Sequence, residues 1–132
     1  MNKKIVVIDD DKVTLKLLEN TLSKLGLQVF LAQDGEKGLE LAKEIKPDIV
    51  LSDMLIPKLH GLDLCQRIKS DPELKQIKVI LMTAVYKSLP FQQEIKSSGA
   101  DDFITKPLDI NDLTNRIQKM LSTVSSQNQK NE

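Results

Sequence analysis

Two kinds of hydrophobic pattern alternate along the chain. Short continuous runs rich in β-branched residues are typical of strands that are covered on both faces. Five such runs occur, at Ile5–Ile8, Gln28–Leu31, Asp48–Ser52, Val79–Met82 and Asp102–Thr105. Between them lie apolar residues at helical spacing. The clearest of these stripes are Leu15, Leu18, Leu22 and Leu25, and Ile110, Leu113, Ile117 and Leu121. The alternation predicts βα units whose right-handed crossovers place helices on both faces of a parallel sheet.

Polar residues mark the ends of the predicted helices. Asp11, Asp34 and Asp109 each precede a helical segment, where a carboxylate can accept hydrogen bonds from the free amides of the first turn. The last residues, STVSSQNQKNE, are polar and offer little to a hydrophobic core. We therefore expect residues 1–121 to form one domain and residues 122–132 a flexible tail or the start of a linker.

Composition and charge narrow the class of protein. The 132 residues are 40% hydrophobic and 29% charged, which is normal for one globular domain. Nineteen basic and nineteen acidic side chains leave no net charge to attract nucleic acid or a membrane. The single cysteine, Cys65, cannot form an internal disulfide and is predicted to be a small core residue. No apolar run suits a membrane span or a signal peptide, so we expect a cytoplasmic protein.

Reactive side chains follow four of the five predicted strands. Asp9 and Asp10 follow the first strand, Asp53 the third, Thr83 the fourth and Lys106 the fifth. Each alone fits a plainer role, as a cap, a loop acid, a strand end or a surface lysine. Ligands of open α/β sheets bind beyond the carboxyl ends of the strands, so these side chains should meet there. Gathered carboxylates need a shared cation, and oxygen ligands without His or Cys favour Mg²⁺. The set predicts a cation site that holds a phosphoryl group beside a carboxylate able to attack phosphorus.

Four motifs in these regions resemble one known family, the receiver domains of two-component response regulators. They are VVIDDD, DIVLSDMLIPKLHGLDL, VILMTA and GADDFITKPL, and the resemblance covers residues 3–121. It is a resemblance to single-domain, chemotaxis-type receivers. It implies a flavodoxin-like, doubly wound parallel sheet of five strands in the order 2-1-3-4-5, surrounded by five helices. It also implies a phosphoprotein of a phosphorelay, which accepts a phosphoryl group from a histidine kinase or phosphotransfer protein and is not a turnover enzyme.

The resemblance further implies roles for the residues of the site. Asp53 would be the phosphoacceptor, and Asp9, Asp10, Asp53 and the backbone carbonyl of Leu55 would bind Mg²⁺ or Mn²⁺. Lys106 would contact the phosphoryl oxygens. Its peptide bond to the next residue, Pro107, is expected to be cis.

Two switch residues and two tuning residues complete the implied roles. The hydroxyl of Thr83 would move toward the phosphoryl group while the ring of Phe103 turns inward. Together they would change the surface of helix four, strand five and helix five, where partners bind. Leu55 and Val85 occupy the positions that set the phosphoryl lifetime. Both are apolar and cannot orient a water molecule, so we predict slow autodephosphorylation.

Some features depart from the family pattern. His60 stands where the family more often has Asp or Asn, and a turn residue is the better interpretation. Tyr86, Pro90 and Phe91 make the entry to the fourth helix unusual, and their role is open. The kinase, the downstream protein or fused output domain, and a phosphorylation-linked dimer are also left open.

Two other interpretations fit part of the sequence pattern. A magnesium-dependent phosphohydrolase would carry a second acid two residues after its aspartyl nucleophile, where this chain has Leu55. A degenerate receiver, acting as an unphosphorylated protein-binding module, generally lacks one of the acids or the lysine, and this chain retains all of them. The acids and the lysine therefore favour a working receiver.

Overall fold

Five short strands form one parallel sheet in the computed structural model, which describes residues 3–84, 93 and 96–130 and their side chains as far as residue 122. The strands are β1 (Lys4–Ile8), β2 (Gln28–Ala32), β3 (Ile49–Asp53), β4 (Lys78–Thr83) and β5 (Asp102–Thr105). They lie in the order β2-β1-β3-β4-β5, so the predicted 2-1-3-4-5 order is confirmed. This is the doubly wound, flavodoxin-like arrangement.

The central strands are buried on both faces, which explains their unbroken apolar runs. In β1 successive side chains point to opposite faces: Val6 and Ile8 lie in one core, whereas Ile5 and Val7 lie in the other. All four are fully buried. The sheet therefore separates two hydrophobic cores, and each core needs its own cover of helices.

Four helices are described, and they divide between the two faces of the sheet. They are α1 (Lys12–Lys24), α2 (Gly35–Ile45), α3 (Gly61–Ser70) and the C-terminal helix (Ile110–Lys130). α1 and the C-terminal helix contribute Leu18 and Ile117 to one core. α2 and α3 contribute Ala42 and Ile68 to the other. Most of the fourth predicted helix, with Tyr86, Pro90 and Phe91 at its entry, lies outside the described residues, and so does Val85. Residues 93, 96 and 97, which are described, are helical.

The predicted helix caps are confirmed. The side chains of Asp11, Asp34 and Asp109 each accept a hydrogen bond, 2.8–3.1 Å long, from a backbone amide in the first turn of the helix that follows. His60 is also a cap: its Nδ1 accepts a hydrogen bond of 3.2 Å from the backbone N–H of Leu62 at the start of α3. An imidazole nitrogen thus replaces the carboxylate or amide oxygen that more commonly caps a helix.

The C-terminal helix is longer than the sequence indicated. It runs past Leu121 to Lys130, so residues 122–130 are helical and not irregular. This segment contains neither glycine nor proline. Extending an existing helix fixes only one further residue for each hydrogen bond, so polar composition alone does not end it. The division into a domain of residues 1–121 and a tail stays a prediction. Within the described ranges, no helix is long and apolar enough to cross a membrane.

Candidate functional site

Three carboxylates meet at the carboxyl end of the sheet. Asp9 follows β1, Asp10 comes next, and Asp53 is the last residue of the neighbouring strand β3. One oxygen from each lies within 4.8 Å of the others. The structure therefore brings together the three acids that the sequence placed at this edge, and we call them the acidic cluster.

Among the side chains that the structure describes, Lys106 is the cation that contacts the acidic cluster. Its Nζ donates hydrogen bonds to Asp9 Oδ2 at 2.8 Å and to Asp53 Oδ2 at 3.2 Å. Burial by itself lowers the pKa of the Lys106 ammonium, but these two bonds and the two negative charges outweigh it and raise the pKa above its ordinary value. The lysine is therefore held charged between the two carboxylates.

The position of Lys106 is fixed by its backbone. Its N–H donates a hydrogen bond of 2.7 Å to the carbonyl of Thr83, which joins the ends of β4 and β5. The peptide bond between Lys106 and Pro107 is cis, as predicted. Thr83 itself is buried and lies opposite Thr105 in the sheet register, so its side chain belongs to the same edge as the acidic cluster.

The three acids differ in exposure. Asp9 is fully buried, and its second oxygen, Oδ1, accepts a hydrogen bond of 2.9 Å from the backbone N–H of Asp11. Asp10 is exposed. The Asp53 side chain is 13% exposed, and its Oδ1 accepts only a long bond of 3.4 Å from the N–H of Leu55. Asp53 is thus the acid of the cluster that combines a lysine contact with an oxygen open to a reactant.

The acidic cluster has the chemistry of a Mg²⁺ site. Within the described part of the chain its three carboxylates face one ammonium group, an excess of negative charge that a divalent cation would neutralise. Its ligand atoms are all carboxylate oxygens, which Mg²⁺ prefers, and they converge closely enough to share one ion. The residues present therefore fit this metal.

The remaining predicted residues surround the cluster. Leu55 is 70% exposed beside Asp53, so an apolar side chain borders the acceptor carboxylate. Phe103 is half-buried in β5 and packs against the core that α2 and α3 cover. Cys65 is fully buried, and its Sγ donates to the carbonyl of Ser98 at 3.4 Å, which confirms it as a core residue.

The contacts that hold the loop after Asp53 were not apparent from the sequence. The N–H of Gly61 donates to the carbonyl of Met54 at 2.9 Å, and a Cβ at position 61 would lie 2.8 Å from the carbonyl oxygen of Asp53. The N–H of Gly35 donates to the carbonyl of Pro57 at 3.0 Å. The available signal was a glycine at the first position of both α2 and α3, where most residues would otherwise be accepted.

Comparison with known proteins agrees with the geometry. A family model described as "Response regulator receiver domain" matches residues 5–118. Sporulation initiation phosphotransferase F of Bacillus subtilis (strain 168) is 37% identical over 126 residues, which cover 96% of this chain and 99% of that protein. The DNA-binding dual master transcriptional regulator RpaA of Synechocystis sp. is 36% identical over 120 residues, which cover 89% of this chain. The chain spans about half of that regulator's length, at 48%.

Solved structures share the fold. The receiver domain of a signal transduction histidine kinase from Syntrophus aciditrophicus superposes with a TM-score of 0.85 at 30% identity, and the match covers 92% of each chain. The receiver domain of the sensor histidine kinase PA1611 from Pseudomonas aeruginosa PAO1 gives 0.82 at 23% identity, covering 92% of this chain and 99% of that one. That structure has a magnesium ion coordinated in its active-site cleft.

Proposed function

Because the chain belongs to the family of response regulator receiver domains, we propose that Asp53 accepts a phosphoryl group from the phosphohistidine of a histidine kinase or phosphotransfer protein. The observation that supports this best is the pair of hydrogen bonds from Lys106 to Asp9 and Asp53. They place a fixed positive charge beside Asp53, which of the two carboxylates bound by Lys106 is the one with an oxygen open to a donor.

The roles of the side chains follow from their positions. An oxygen of Asp53 attacks phosphorus, and the bond from phosphorus to the donor's imidazole nitrogen breaks as the new bond forms. Lys106 Nζ, already 3.2 Å from Asp53, then contacts the phosphoryl oxygens and stabilises their charge. Asp9 and Asp10, with Asp53 and the Leu55 carbonyl, would hold Mg²⁺. When bound, the ion neutralises phosphoryl oxygens that a cluster of carboxylates would otherwise repel.

The same site would pass the signal to partners. A phosphoryl group on Asp53 gives the buried hydroxyl of Thr83 a strong acceptor. Thr83 ends β4, and the adjacent strand β5 carries the half-buried ring of Phe103. We propose that movement of Thr83 toward the phosphoryl group lets Phe103 turn inward, which changes the surface that a downstream protein or output domain binds.

Slow loss of the phosphoryl group is part of the proposal. The exposed side chain next to the acceptor, Leu55, has no polar atom to orient an attacking water molecule. The protein would therefore act as a phosphorylated switch that persists, and not as an enzyme that turns over a substrate.

Phosphorylation by a small-molecule donor tests the assignment. We would incubate the protein with acetyl phosphate, with and without Mg²⁺, and measure the intact mass. Asp53→Asn is the test variant, and Asp63→Asn, which alters an exposed acid at the start of α3, is the matched control. We expect magnesium-dependent phosphorylation of the wild type and of the Asp63 variant, and none of the Asp53 variant. Absence of phosphorylation in all three would favour the unphosphorylated binding module.

A further inference from the structure

Residues 54–60 connect β3 to α3, and we call them the acceptor loop. They carry the Leu55 carbonyl that would complete the cation site. One end of the loop is anchored at Met54, which is buried. The N–H of Met54 donates to Met82 O and its carbonyl accepts from the N–H of Gly61, both at 2.9 Å. If residues farther along the loop are displaced, the residues between them and Met54, including Leu55, must therefore shift.

The middle of the acceptor loop adopts an uncommon conformation. Lys58 has a φ of 70°, and the N–H of Leu59 donates to the carbonyl of Pro57 at 2.8 Å. This bond spans three residues, which makes the segment a γ-turn with a positive central φ. A non-glycine residue in this region is strained and keeps the conformation only when its surroundings hold it.

The first turn of α2 supplies that support. Gly35 donates its N–H, one of the amides that a helix start leaves unpaired, to the same Pro57 carbonyl at 3.0 Å. Its α-carbon packs directly on Leu59: an added Cβ would overlap the Leu59 carbonyl oxygen and lie 2.6 Å from the Leu59 Cβ. Beside this contact, Asp34 Oδ2 lies 3.7 Å from the Nζ of Lys58.

We propose that Asp34 and Gly35 are positioning residues for the acceptor loop, and that glycine at position 35 sets the affinity of the acidic cluster for Mg²⁺. The inference rests on the proposed function, because it assumes that the Leu55 carbonyl completes the cation site. A side chain at position 35 must push Leu59 outward. Because Met54 is anchored, the displacement reaches Leu55. Mg²⁺ demands near-ideal octahedral geometry, so a small shift of one ligand weakens binding.

Gly38 provides a matched control on the same helix. A Cβ there would meet the outer atoms of the Ile8 side chain, with Ile8 Cγ1 at 2.8 Å, and no loop atom is among its nearest neighbours. The end of an isoleucine side chain can rotate, whereas the backbone of Leu59 cannot move without the loop. Gly35→Ala and Gly38→Ala therefore make the same chemical change and differ in what they press against.

The test is a Mg²⁺ titration of the unphosphorylated full chain, followed through backbone amide shifts in ¹⁵N NMR spectra. Thermal unfolding checks that each variant is folded. We expect Gly35→Ala to bind Mg²⁺ about tenfold more weakly, as is common when a residue supporting a metal ligand is changed. Gly38→Ala should stay within about twofold of the wild type. Asp34→Asn keeps the cap oxygen but loses the charge opposite Lys58, and should weaken binding about threefold, as suits an ion pair with one exposed partner.

Each outcome either supports or contradicts the positioning role of Asp34 and Gly35. If the wild type binds Mg²⁺ and a folded Gly35→Ala binds it equally well, the positioning role is wrong while the proposed function stands. If the wild type does not bind Mg²⁺, both are wrong. If Gly35→Ala does not fold, Asp34→Asn decides: weaker binding supports the role, and unchanged binding contradicts it.

Discussion

Two clusters of charged side chains lie at opposite ends of the sheet, and they differ in charge balance. At the carboxyl end, the three carboxylates of the acidic cluster share the ammonium group of Lys106. At the amino end, Asp101 and Asp102 lie at the start of β5. Asp101 Oδ2 accepts from Lys69 Nζ at 2.7 Å, and the carboxylate of Asp102 accepts from Arg116 at 2.8 and 2.9 Å.

These charged side chains at the amino end of the sheet, which we call the amino-end cluster, also link several elements of the fold. Asp101 accepts a hydrogen bond of 2.8 Å from the backbone N–H of Val79 in β4, and Lys69 reaches it from α3 while donating to the carbonyl of Ile77 at 2.7 Å. The hydrogen bond to Asp102 is the main cause that raises the pKa of the Arg116 guanidinium, against the opposing effect of burial. In this cluster the charges are equal in number, with Asp101, Asp102 and Asp112 facing Lys69, Lys78 and Arg116. These pairs brace α3, β4, β5 and the C-terminal helix.

The comparison shows how the same residue types serve two purposes. Where carboxylates and cations are matched, the site is satisfied within the chain and contributes to stability. Where carboxylates outnumber cations, the proposed function has the site completed by a divalent cation and a phosphoryl group from outside the chain. Variants that change the balance at one end should therefore affect chemistry, and variants at the other end should affect stability.

Removal of the Lys106 charge should have the largest effect. Lys106→Met leaves the three carboxylates without their cation, so phosphorylation by acetyl phosphate should slow by about a hundredfold, the scale for losing one group that stabilises a transition state. Mg²⁺ should at the same time bind more tightly, because the site becomes more negative. The phosphorylation rate and a Mg²⁺ titration measure the two effects. Parallel losses in both would contradict the charge-balance account.

The matching change at the amino end is Asp101→Asn. It removes the negative charge that pairs with Lys69 and weakens the hydrogen bond from the Val79 N–H. The free energy of unfolding should therefore fall by about 2 kcal/mol. Chemical denaturation with urea measures this fall. Mg²⁺ affinity should not change, because the acidic cluster lies at the other end of the sheet. A loss of Mg²⁺ affinity with unchanged stability would reverse the roles assigned to the two clusters.

Leu55→Asn places a polar side chain at the rim of the acidic cluster. Leu55 is 70% exposed, so stability should not change. An amide that orients water should speed loss of the phosphoryl group by about tenfold, which corresponds to about 1.4 kcal/mol in the barrier. The decay of phosphorylated protein after removal of the donor gives the rate. A wild-type half-life of only seconds would show that the apolar rim does not slow hydrolysis.

The smallest effect is expected at Cys65, whose thiol interacts with Lys69 and Asp101 of the amino-end cluster. Burial raises the pKa of its thiol above the ordinary value, although a hydrogen bond with the Ser98 side chain acts in the opposite direction. Lys69 lowers this pKa and Asp101 raises it, so the paired charges oppose each other. Because the thiolate is the reactive form, alkylation at about pH 8 should be slow in the folded protein and fast in denaturant. Fast alkylation of the folded protein would place Cys65 outside the core.

Much of this arrangement could be predicted because the ends of the strands can be recognised in the sequence. The runs before Asp9, Asp53 and Lys106 are apolar and β-branched, and parallel strands bring their carboxyl ends to one edge. The cap roles of Asp11 and Asp34 are also local, since each depends on amides only a few residues away. Contacts between residues this close in the sequence do not depend on how distant segments pack.

Other features depend on contacts between segments that are distant in the sequence. The close contact between Leu59 and Gly35 exists only because α2 and the acceptor loop meet in space. The bond from Lys69 to Asp101 joins α3 to β5, and no motif marks either residue as its partner. Nor does the polar composition after Leu121 show that the C-terminal helix continues, because the preceding turns already provide its nucleus.

The most direct test of the account is to identify the phosphorylated residue. We would phosphorylate the protein with acetyl phosphate and Mg²⁺, reduce the acyl phosphate with borohydride, and locate the resulting homoserine by peptide mass spectrometry. The account predicts homoserine at position 53, and none at Asp9, Asp10, Asp101 or Asp102. Modification of another acid, or a phosphorylated protein with no reducible acyl phosphate, would contradict the assignment of Asp53 as the phosphoacceptor.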